Sequence, residues 1–243
     1  MSMTEAILES LKRVSENVTR VYQSGVAVGL KRAGEVVKNE FWDGFTNNGN
    51  RTEYARAFAY WGMEYIRPTR KIVFTTSDAG LNTFAHNTNL KKVEAAYFDF
   101  SQKPRGTGNQ SGYYYTFYNC KALEEIEDIG MQADYCHYNS FRNCDALHTI
   151  AKIRCDENTI FTEAFTSSNR LENITFEGTI GQNLYIASPK LSEKSISNIV
   201  SCLSDTASGK TLTLSQTARN NAFTDTEWAA LIATKLNWTI SLA

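Results

Sequence analysis

Glu125, Glu127 and Asp128 form a dense acidic cluster and are the first candidates for acid–base chemistry in this chain. Two carboxylates about 5–10 Å apart across a groove can cleave a glycosidic bond. One protonates the leaving oxygen, and the other attacks the sugar or activates water. The same residues along an exposed strand make an ordinary solvated face, and no neighbouring pattern marks a pocket that would raise a carboxyl pKa. Cys136, His137, Cys144 and His148 are ligand types that zinc accepts. Their spacings match no zinc knuckle, and adjacent residues on one strand point to opposite faces. The stretch Gly25-Val-Ala-Val-Gly29-Leu-Lys-Arg-Ala-Gly34 has the glycine content of a phosphate loop, but it follows a helical pattern and matches neither nucleotide fingerprint. No G-x-S-x-G or H-E-x-x-H motif occurs. The reactive residue types thus point to a non-enzymatic protein with no catalytic residue, no cofactor and no metal.

The elements that hold these residues repeat. Phe84, Phe117, Phe141 and Phe165 lie at intervals of 33, 24 and 24 residues. Each is followed at the third position by Asn87, Cys120, Cys144 or Ser168. Leu90, Leu123, Leu147 or Leu171 comes at the sixth, and Val93, Ile126, Ile150 or Ile174 at the ninth. A period in the twenties marks a solenoid, whose coils bury their apolar side only by stacking on one another. Each unit reads as a helical turn around Phe and then a short strand. The predicted repeat core is Phe84, Leu90, Phe117, Leu123, Phe141, Leu147, Phe165 and Leu171. The third-position residues should form an internal ladder, which makes Cys120 and Cys144 packing residues. The five cysteines are odd in number and lack C-x-x-C spacing, against a disulfide framework.

Strand alternation turns the ninth residue inward and its neighbours outward. Lys92, Glu94, Glu125, Glu127, Thr149, Asn173 and Thr175 therefore form the candidate partner-binding face. A solvated face without a ligand fits the same pattern. The longer first interval is accounted for by the polar, glycine-rich stretch 101–112, which reads as an extruded loop. Lys103, Arg105, Tyr113, Tyr114 and Tyr115 are its candidate contacts; a tolerated insertion is the plainer alternative.

The flanking segments have other patterns. Ile7, Leu11, Val14, Val18, Val21, Gly25 and Val28 follow the seam spacing of a coiled coil, so residues 1–38 are expected to be a helix. The seam favours a homo-oligomer, a trimer above a dimer; a helix packed along its own chain is the alternative. Residues 39–70 read as a helical hairpin carrying Phe41, Phe45, Tyr54, Phe58 and Trp61, which would cap the solenoid of residues 71–191. Residues 192–243 read as an αβαβ cap, with Ser192 opening a helix and Thr224 with Glu227 forming a capping box. The expected class is an α/β solenoid with a parallel sheet.

Hydrophobic residues make up 42% of the 243, enough for a core, and 21% are charged, outside the disordered class. A net charge of −1 offers no field for nucleic acid. There is no apolar run long enough to span a membrane and no leader-like start, so synthesis in the cytoplasm without a signal peptide is expected.

The Phe-x-Asn-Cys-x-x-Leu-x-x-Ile units resemble the BspA-type leucine-rich repeat. The stretches Phe41-Trp-Asp-Gly-Phe-Thr-Asn-Asn-Gly-Asn-Arg-Thr-Glu-Tyr54 and Ala222-Phe-Thr-Asp-Thr-Glu-Trp228 onward to Ile240 are similar to segments of leucine-rich-repeat proteins in phages and prophages of gut Firmicutes. The resemblance implies a virion protein of the tail or baseplate. Its partners would be a host-surface glycan or protein and other virion proteins. An exported bacterial surface adhesin and a purely structural tail or scaffold protein are the alternatives. The units here lack the family's Ile-Pro after the strand and carry the central insertion.

Overall fold

A computed structural model describes residues 31–32, 35–36, 58–60, 62–68, 71–77, 79–106 and 112–243. The chain divides into two compact units, 1–46 with 68–70, and 47–67 with 71–243. The first contributes β1 (Lys31–Arg32) and β2 (Glu35–Val36), paired antiparallel with Lys31 opposite Val36. This pair stands where the N-terminal helix was expected to run to residue 38. Gly34, in the gap between the strands, is poor in helices and common in hairpin connections. The seam from Ile7 to Val28 and the helix of Phe41 and Phe45 lie outside the described residues.

The second unit is a mixed α/β body built on parallel sheets. In chain order it carries β3 (Ile72–Val73), β4 (Lys92–Val93), β5 (Phe98–Asp99), β6 (Glu125–Ile126), β7 (Thr149–Cys155), β8 (Asn173–Gly178) and β9 (Leu184–Ile186). The helix α1 (Glu193–Ser201) follows, then β10 (Lys210–Leu214), α2 (Gln216–Ala222), α3 (Asp225–Ile232) and β11 (Trp238–Leu242). One sheet has the order β4-β6-β7-β8, all parallel. Its register lines up Lys92, Glu125, Thr149 and Asn173 in one row and Val93, Ile126, Ile150 and Ile174 in the next. The second row is buried because alternation turns it inward. β3 pairs with β5, and β9-β10-β11 form a third parallel sheet.

The segments around the phenylalanines are turns, not the helical turns expected. Residues two before and two after each Phe have positive φ: Asn82 and His86, Tyr115 and Asn119, Asn139 and Asn143, Glu163 and Ser167. Left-handed backbone interrupts a helix, and asparagine tolerates it better than most residues. Each turn instead bonds to the following one, with Phe84 N–H to Thr116 O (2.8 Å), Phe117 N–H to Ser140 O (2.8 Å) and Phe141 N–H to Ala164 O (2.9 Å). The four rings lie nearly parallel, one on the next, with centroids 5.2, 5.7 and 5.3 Å apart. All eight predicted core side chains are buried.

One more turn precedes them. Phe58 N–H donates to Thr83 O (2.8 Å), Tyr60 N–H donates to Ala85 O (3.0 Å), and Tyr60 has φ 64°. The Phe58 ring lies 5.3 Å from that of Phe84. Residues 58–60 are therefore a turn of the same kind, where the sequence suggested a helix; Tyr54 and Trp61 lie outside the described residues. The match was hidden because Met63 falls five positions after Phe58 instead of six.

The third-position residues form a hydrogen-bonded ladder. Asn87 Nδ2 donates to Phe58 O, Cys120 Sγ to Phe84 O (3.1 Å), Cys144 Sγ to Phe117 O (3.1 Å) and Ser168 Oγ to Phe141 O (2.7 Å). Each side chain donates to a buried carbonyl of the preceding turn and so ties successive turns together. Burial pushes the Cys120 thiol up to about 12 and Cys144 well above its ordinary value, so both stay protonated.

Beside the phenylalanines runs a second column, four residues earlier in each unit: Gly80, Tyr113, His137 and Phe161. Tyr113 and His137 have centroids 4.7 Å apart, and His137 and Phe161 5.2 Å apart. Gly80 closes the column, since a Cβ there would meet Gly112 O at 2.1 Å and the Tyr113 ring at 2.9 Å.

At the C-terminal end, Ser192 caps α1 by accepting Ser195 N–H, and Ile196, Ile199, Val200 and Leu203 are buried. Thr224 and Glu227 make the reciprocal capping box of α3, which buries Trp228. An additional helix, α2, turns the expected αβαβ order into αβααβ; its cap is Ser215, which accepts Ala218 N–H.

Candidate functional site

The outward row of the sheet is a lattice of opposite charges. Lys92 Nζ lies 3.0 Å from Glu125 and 2.7 Å from Glu127. Arg154 makes two bonds to Asp128, at 2.9 and 3.0 Å, and Lys152 reaches Glu177 at 2.7 Å. Arg67 is bound to Glu94 through Nε at 2.7 Å. Of the predicted face, Lys92, Glu125, Thr149 and Asn173 are aligned by strand register, with Glu94, Glu127 and Thr175 beside them, all half-buried or exposed.

The hydrogen bond from Lys92 holds Glu127 below the usual carboxylate range, and the Arg154 guanidinium does the same for Asp128. A general acid for glycosidic cleavage needs the opposite shift. Glu127 and Asp128 therefore stand as ionised, paired carboxylates and not as proton donors. Among the described residues, no group of three or more His, Cys, Asp or Glu is placed to hold a metal ion.

The loop residues separate into two sets. Lys103, expected to reach outward, is buried: its ammonium pairs with Asp134 and sits 4.8 Å from the centre of the Tyr113 ring. Asp134 also accepts Gly106 N–H (2.8 Å) and Tyr135 N–H (2.6 Å), so the pair pins the start of the loop to the body. Tyr113 is fully buried, its hydroxyl accepting Gln132 N–H at 3.0 Å. These two are therefore corrected from contact residues to internal ones. A buried lysine needs a buried counter-charge, and Asp134 lies too far along the chain for sequence spacing to announce it. Arg105 stays exposed and pairs with Asp156. Tyr114 and Tyr115 are half-exposed.

Those two tyrosines belong to a strip that sequence reasoning did not assemble. Tyr60 stacks on His86 (4.5 Å, 7°), and His86 meets Tyr118 edge-on (5.2 Å, 79°). Tyr118 meets Tyr115 (4.9 Å), Tyr115 meets Tyr114 (4.5 Å), and Tyr114 stacks on Tyr138 (5.0 Å, 10°). Tyr60 is 71% exposed and the others are half-exposed. The available signal was positional: aromatic side chains occur one or two residues after Phe58, Phe84 and Phe117, and three before Phe117 and Phe141. No protein-family model, curated protein or solved structure matches this chain.

Proposed function

We propose that this chain is a non-enzymatic recognition or adhesion module of a phage virion, at the tail or baseplate, built on a BspA-type leucine-rich-repeat solenoid. The observation that carries the reading is the succession of in-register parallel strands and bonded Phe turns, which leaves two exposed faces of different chemistry, one charged and one aromatic. On the charged face Glu127 and Asp128 are held ionised by Lys92 and Arg154, which suits binding and not proton donation. Virion placement rests on the sequence resemblance of the repeats, of residues 41–54 and of residues 222–240. An exported surface adhesin and a structural tail or scaffold protein remain the competing readings.

Purified protein is expected to sediment with envelope fragments of the bacterium that the phage infects and not with those of an unrelated one. Equal pelleting with both, or none, would leave a structural tail role as the better account. The N-terminal seam is expected to make the intact chain trimeric by light scattering, and a chain starting after residue 38 monomeric. The same monomeric state for both chains would remove the oligomer from the proposal.

A further inference from the structure

We infer that Tyr60, His86, Tyr118, Tyr115, Tyr114 and Tyr138 form a platform that binds a neutral glycan chain. The inference rests on the recognition reading above and adds to it the surface and the class of partner. Four observations converge on it. The six rings are continuous, each touching the next, and they span four successive turns, those of Phe58, Phe84, Phe117 and Phe141. Successive turns advance by about the spacing of neighbouring strands, roughly 4.8 Å. That step is close to the rise per sugar of an extended β-linked pyranose chain, so sugars and rings can keep pace over several units.

The strip is also amphipathic in the way a sugar is. Ring faces accept the C–H faces of pyranoses, while the phenol groups of Tyr60, Tyr118 and Tyr138, which have no hydrogen-bond partner among the described residues, can bond sugar hydroxyls. The third observation is its lack of net charge. His86 is held neutral by burial, and Arg142, beside the strip on the Phe141 turn, is already paired with Glu163 and Asn139. The six rings themselves thus offer no cation to an anionic polymer. Fourth, the strip is built of aromatic rings, with no large exposed aliphatic side chain among the described residues joining them. The other exposed large apolar residues, Tyr185 and Leu236, belong to the C-terminal region and not to the strip.

The test uses the intact chain and immobilised neutral polysaccharides (β-glucan and poly-N-acetylglucosamine, with oligomers from monomer to hexamer as soluble competitors). Retention is expected, with competition rising with oligomer length and changing little with added salt, since no ion pair is made. Tyr60→Ala and Tyr118→Ala should each weaken binding about tenfold. Tyr60→Phe should keep most of the affinity, because the stacking face remains. Tyr60 is largely exposed, so its alanine variant should melt with the parent, and that melt separates lost binding from lost fold. Lys92→Ala and Arg154→Ala, on the charged face, should bind as the parent does.

Binding lost in the Lys92 and Arg154 variants but kept in the tyrosine variants would overturn the platform and leave the recognition reading standing. So would protease-sensitive binding to host envelope with no glycan retained, which would identify a protein ligand. Absence of both glycan and envelope binding would overturn both readings together.

Discussion

Replacing Phe141 with alanine is expected to destabilise the fold by about 3–5 kcal/mol, as for other buried Phe truncations that leave a cavity. Its ring sits between those of Phe117 (5.7 Å) and Phe165 (5.3 Å) and is fully buried. The cavity cannot close easily, because backbone bonds to the following turn hold the spacing on that side. Arg142, the next residue, points outward to Glu163, and Arg142→Ala should cost about 0–1 kcal/mol, the range for exposed ion pairs. Urea unfolding of both variants measures the contrast. Equal costs at the two positions would mean that the ring column does not carry the stability of this region.

Acid lability centred on His137 should be the second large effect. Its ring is fully buried between Tyr113 and Phe161, and neither ring nitrogen has a hydrogen-bond partner among the described residues. Burial, helped by the nearby Lys103 charge, pushes its pKa down to about 3 from an ordinary 6.5. A histidine whose pKa falls on folding takes up its proton first in the unfolded chain. Stability is therefore complete above pH 6.5 and falls as pH is lowered towards 3, by about 1.4 kcal/mol per unit. Glu127 and Asp128, whose values are lowered by Lys92 and Arg154, add their own losses only below their ordinary 4.5 and 3.8. The interval between 6.5 and 4.5 thus reports mainly on histidine, with a smaller contribution of the same sign from His86.

His137→Phe tests this directly. Phe161 occupies the equivalent place one turn on, so a phenyl ring suits the column. The variant should gain about 1–3 kcal/mol at neutral pH by removing unpaired buried nitrogens. Its stability should also lose most of the slope above pH 4.5. Parallel stability–pH curves for parent and variant would show that His137 does not titrate as its surroundings require.

Several of these features follow from sequence because they are one-dimensional. Phe, Leu and Ile at fixed spacing must be buried wherever the units go, so the core side chains, the inward row Val93, Ile126, Ile150 and Ile174 and the outward row beside it were all legible. So were Ser192 and the Thr224–Glu227 box, since a helix cap is read from residues within four positions of one another. Tertiary structure alone decided the rest, because it depends on what the neighbouring turn presents. Lys103 reads as a surface lysine until Asp134 is brought beneath it. The turn at Phe58 was masked by a single missing residue that backbone bonding absorbs. The tyrosine strip draws its members from different offsets in different units, +2, +1, −2 and −3 from Phe. No single spacing encodes it, and only the lateral approach of successive turns makes the rings one surface.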